Sequence, residues 1–155
     1  MRLVIIVLLS LLTLSTPQAS NEMSISKLKP NENIAIEFTS SGCFHHFASF
    51  YVFEKDIVSI FEIKTKGDNR GMQELGSLQL SKDDIQGLDQ LLHYYSEEKV
   101  DQQRTTTREK TQIELSRDGQ ILRKIVSYNS SGYTQQIKGI VTLSDLMKRI
   151  KQKNE

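Results

Sequence analysis

Ile34, Ile36 and Phe38 alternate with Ala35, Glu37 and Thr39, the two-residue period of a strand with one buried face. Ser40-Ser41-Gly42 breaks the pattern. From Phe47 to Phe53 the residues are aromatic or small, and Ile57 to Ile63 is again rich in β-branched and aromatic types. With Glu54-Lys55-Asp56 as a turn between them, these two runs predict an antiparallel hairpin. Lys66 to Gly71 reads as a loop, followed by a short extended piece around Leu78 and Leu80.

The period then changes. Ser81 places a capping hydroxyl three residues before Asp84, and Ile85, Leu88, Leu91, Leu92 and Tyr95 follow at helical spacing. Tyr94 and Tyr95 cannot both face inward on that helix, so one is expected at the surface. Glu97 to Lys110 is polar and reads as an exposed connection. Ile113 and Leu115 precede Asp118-Gly119, and Ile121 to Tyr128 follows it. An Asp-Gly pair supplies the positive φ angles of a tight turn, so this is a second hairpin. Thr142 opens a final amphipathic helix through Leu143, Leu146, Met147 and Ile150, with Asp145 placed to cap it and a basic end from Lys148 to Lys153.

This order predicts an α+β domain over residues 34–153: a mainly antiparallel sheet of about five strands with two amphipathic helices packed on one face. Residues 1–19 read as a secretory signal peptide: a positive start at Arg2, an apolar run from Leu3 to Leu14, and a polar stretch ending in Ala19. The run is shorter than the about 20 residues a membrane span needs, so no stable anchor is expected. Ser20 to Asn33 is polar, carries Pro30 and reads as a leader. The expected location is therefore the periplasm or the outside of the cell.

Charge narrows the partners. Lys plus Arg is 20 against 19 for Asp plus Glu, which gives no basic excess to hold a nucleic-acid backbone. Cys43 is the chain's single cysteine, so no internal disulfide can form. In an oxidising compartment it is either buried or free to react with another molecule.

The densest group of reactive side chains is Ser41, Gly42, Cys43, Phe44, His45 and His46. Cysteine and histidine are metal ligands, and a third imidazole, His93, lies on the first helix. Cys43, His45, His46 and His93 thus define an alternative reading as a site for zinc or a similar metal, or as a thiol site. Adjacent His45 and His46 point to opposite faces if extended. A closed zinc site also wants four ligands at a spacing this chain lacks, and the preferred expectation is no cofactor. The chain contains no G-x-S-x-G, H-E-x-x-H, P-loop or calcium-loop pattern, so no enzymatic activity is expected. Phe44, Phe47, Phe50, Tyr51 and Phe53 are expected to be core rather than a binding surface.

A strand followed by Ser41-Gly42-Cys43-Phe44, a hairpin, a capped helix with Leu88, Leu91 and Leu92, the Gln112-Ile113-Glu114-Leu115 strand with its Asp118-Gly119 turn, and a closing helix with Leu146 and Ile150 together resemble the layout of emfourin-type small bacterial proteins. Those are inhibitors of thermolysin-like metalloproteases, with a Ser-Gly-Gly-Phe loop after the first strand, where this chain has Cys43 for the second Gly. The resemblance implies a non-enzymatic domain that binds a protein, in its sharpest form an exported protease, with Ser41 to Phe44 as the corresponding loop; the binding loop expected in this chain is Ser41 to His46. A structural role in the envelope through exposed strand edges is the remaining alternative.

Overall fold

The computed structural model describes residues 23–42, 46–66, 69–97, 108–130 and 138–155. The expected signal peptide lies outside them. The described chain forms strands β1 (Glu32–Ser41), β2 (His46–Glu54), β3 (Ile57–Lys66) and β4 (Asn69–Gln79), then helix α1 (Lys82–Glu97). Strands β5 (Arg108–Arg117) and β6 (Gln120–Ser130) and helix α2 (Lys138–Lys153) follow. The strands make one antiparallel sheet in the order β4-β3-β2-β1-β5-β6. The fold is α+β, with six strands rather than five.

Alternation builds the core. Ile34 lies between Phe53 and Leu115, and Ile36 between Tyr51 and Ile113. All of these are buried, as are Val58 and Ile60 of β3. They form one cluster with Leu88, Leu91, Leu92 and Tyr95 of α1 and Leu143, Leu146, Met147 and Ile150 of α2. Each such side chain contributes about 1.5–3 kcal/mol by leaving water. Contacts tie the layers: the Tyr51 hydroxyl donates to the Leu143 carbonyl at 3.4 Å, and the Tyr95 and Thr111 hydroxyls share a hydrogen bond of 3.2 Å.

Two turns show how local sequence sets the path. Asp118 (φ 51°) and Gly119 (φ 78°) both take positive φ, as the Asp-Gly pair predicts. Ser81 and Asp84 make the reciprocal cap of α1. The Ser81 N–H donates to Asp84 Oδ2 at 2.8 Å, and the Asp84 N–H donates to Ser81 Oγ at 3.1 Å.

Four expectations are corrected. The stretch expected to be a loop and a short extended piece is strand β4, an edge strand among the described residues, paired with β3. Its register shifts opposite Ile60/Phe61, where Gly76 takes a φ of 125°; polar edges and bulges erase the alternation that marks a strand. The expected polar leader is part of the domain from Met23. Met23 and Ile25 are buried, and Asp89 of α1 accepts from the Ile25 N–H and the Ser26 hydroxyl, both at 2.6 Å. A single 3-10 turn gave the sequence no period to read.

Helix α2 begins at Lys138, ahead of Thr142. The Thr142–Asp145 spacing therefore falls inside the helix, where Asp145 pairs with Lys148 instead. Of the aromatics expected in the core, Tyr51 and Phe53 are buried and Phe47 packs against them. Phe50 alternates to the opposite face and tilts against Phe61, with ring centroids 6.0 Å apart. As expected for Tyr94 and Tyr95, only one is fully buried, Tyr95, with Tyr94 half-buried edge-on to it.

Candidate functional site

The two ends of the sheet are built differently. At one end β2 turns into β3 at Lys55 and Asp56, and β5 turns into β6 at Asp118 and Gly119. At the other, β1 ends at Ser41, β2 begins at His46, β5 begins at Arg108 and β6 ends at Ser130. The expected binding residues lie there. Cys43, Phe44 and His45 fall outside the described residues, as does most of the connection expected from Glu97 to Lys110. Gly42 is half-buried just after the end of β1.

Ser41 and His46 are directly paired in the register of β1 and β2, and Ser41 Oγ lies 3.2 Å from His46 Nδ1. Among the described residues nothing orients the other imidazole nitrogen, so the pair lacks the third group of a hydrolytic triad. It lines a groove of about 390 Å³ together with Glu37, Thr39, Met72 and Lys110. Beside it stand Phe50, Phe61, Ile63 and Met72, none of which belongs to the core cluster; Met72 is 59% exposed.

The structure does not bring His93 to this groove. His93 is exposed on α1, and its carbonyl accepts from the Ser96 hydroxyl at 2.7 Å. No group of three or more metal-ligating side chains occurs among the described residues. No helix among them is long and apolar enough to cross a membrane.

A second concavity was not expected. A cavity of about 250 Å³ lies between the sheet and both helices, in the half of the core nearer the Ser41–His46 end. Phe38, Tyr51, Leu91, Leu143 and Met147 form its apolar wall, with Ser144 exposed at its rim. Ser49 lines it, is 1% exposed, and its hydroxyl finds no hydrogen-bond partner among the described residues. Burial pushes the Tyr51 phenol up from its ordinary pKa; the Ser49 hydroxyl beside it, near enough to offset that rise in part, does not meet it in hydrogen-bond geometry. The signal for this cavity is in the sequence: in Phe47-Ala48-Ser49-Phe50-Tyr51-Val52-Phe53, Ser49 occupies a position whose period-2 neighbours are all aromatic.

Two carboxylates at the opposite end are tuned by their partners. The Lys29 N–H and the Arg117 guanidinium hold Glu32 below its usual pKa, outweighing its burial. Burial pushes Asp84 up, but the Ser81 N–H and hydroxyl and the Arg149 guanidinium, 3.0 Å away, together hold it below the ordinary carboxylate value.

Among known protein-family models none matches this chain, and no curated protein sequence matches it.

Proposed function

We propose that this is an exported, non-enzymatic domain that binds a protein, in its most specific form an exported metalloprotease of the thermolysin type. The sheet face opposite the core cluster, at the Ser41–His46 end, receives the partner. The observation that carries this reading is the strip of Phe50, Phe61, Ile63 and Met72 beside the groove, outside the core cluster and in part exposed. Apolar side chains next to a polar rim are the usual anatomy of a protein contact.

The groove's polar groups also favour a protein. Glu37 and Lys110 bring one charge of each sign, and Ser41 with His46 adds hydrogen-bonding capacity. A nucleic-acid backbone or an anionic membrane would call for a one-signed basic surface. The test is inhibition of a panel of secreted thermolysin-like metalloproteases by the purified protein at micromolar concentration. At least one should lose activity, and Met72→Lys should weaken that inhibition about tenfold or more by placing a charge in an apolar contact. Full activity across the panel removes the reading.

A further inference from the structure

We propose that the cavity between the sheet and the two helices is a binding site for a small, uncharged apolar molecule carrying one hydroxyl or carbonyl, a phenol or alcohol of about ten carbons. Three observations lead there. The first is size: since about 150 Å³ accommodates one benzene, about 250 Å³ accommodates a second fused ring or a chain of eight to ten carbons.

The second is the wall. Phe38, Phe47, Leu91, Leu143 and Met147 are apolar, and among the described residues no Lys, Arg, His, Asp or Glu lines the cavity. A carboxylate or ammonium ligand would be stripped of water there with nothing to pair it. Met147 adds a flexible side chain that adapts to irregular shapes.

The third is the anchor. Nearly every buried hydroxyl in a folded protein is hydrogen-bonded, because leaving one unpaired costs about 1–3 kcal/mol. Ser49 lines the cavity, and its fully buried Oγ has no hydrogen-bond partner among the described residues. The other buried hydroxyls of the wall are engaged: Tyr51 donates to Leu143, and Tyr95 and Thr111 bond each other. A hydroxyl or carbonyl brought in by a ligand would satisfy Ser49, which gives the site one polar contact in an otherwise apolar enclosure. Ser144 at the rim marks the approach from solvent.

The probe is 2-naphthol, with naphthalene and 2-naphthoate as comparisons; the chain has no Trp, so naphthol fluorescence is read directly. The intact protein should bind 2-naphthol saturably at one site, naphthalene more weakly and 2-naphthoate least. Ser49→Ala should weaken 2-naphthol by about three- to tenfold, the worth of one hydrogen bond, and leave naphthalene within twofold. Ser49→Leu, which fills the cavity, should abolish binding of both while circular dichroism shows the fold retained. Absence of saturable 2-naphthol binding overturns the proposal. So does equal loss of naphthol and naphthalene in Ser49→Ala, or undiminished binding in a folded Ser49→Leu.

Discussion

The two halves of the core share the same strands and helices but are finished differently. Toward the turns at Lys55 and Asp118-Gly119, Ile34, Phe53, Val58, Leu88 and Ile150 are all essentially fully buried. Side chains also close the helix ends there: Arg149 reaches Asp84 and the Gln79 carbonyl, and the Asn154 amide donates to the Leu75 carbonyl at 2.7 Å. Toward the Ser41–His46 end, Phe38 and Phe47 are only half-buried, and the space behind them is not filled. A domain needs one well-packed region to fix its fold; the other half is then free to keep a concavity.

The contrast is broken most severely at Phe53. Phe53→Ala removes a fully buried ring and should cost about 3–5 kcal/mol in denaturant unfolding, whereas Phe47→Ala beside the cavity should cost less than half as much. Equal losses would mean that both halves are packed alike. Gly76→Ala comes next. Its φ of 125° is strained for any side chain, and an added Cβ would sit 3.3 Å from Ile150 Cδ1. A loss of about 1–3 kcal/mol is expected, with a matching fall in Tm.

Ser81→Ala is smaller, about 1 kcal/mol for the lost cap, and it connects to pH. Glu32 and Asp84 have folded pKa values below their unfolded ones. Their stabilisation is therefore complete above the unfolded carboxylate values, near pH 4, and is lost as pH falls through the lower folded values. Tm followed by calorimetry should be flat from pH 7 to about pH 5 and fall below pH 4; Asp84→Asn should make that fall shallower. The smallest effect is Ser49→Ala. Removing a buried hydroxyl without a partner should leave stability unchanged or slightly raised, whereas a clear loss would show that the hydroxyl is satisfied.

The turn end was legible because its devices are local. The cap at Ser81, the Asp118-Gly119 turn and the alternation of Ile34 and Ile36 each span a few residues and have one cheap conformation. Strand β4 was not legible, because an edge strand with a bulge at Gly76 carries polar residues and two glycines in place of a pattern. Met23 and Ile25 escape the pattern for a related reason: the segment is held by a contact far along the chain, the Ile25 N–H donating to Asp89, 64 residues on. Of the candidate site, the Ser41–His46 pairing follows from the strand register. His93 was grouped with it by chemistry alone and lies elsewhere. The cavity is a shortfall of side-chain volume between four elements, a property of packing that no single segment encodes; only the polar Ser49 among aromatics hinted at it.

The most direct measurement is a two-dimensional amide NMR titration of the intact protein with 2-naphthol. Saturable shifts confined to Ser49, Tyr51, Leu91, Tyr95, Thr111 and Met147 are expected, with Val58, Leu80 and Leu88 unmoved. Shifts centred on those last three, or none at all, would contradict the division of the core into a packed half and a ligand-holding half.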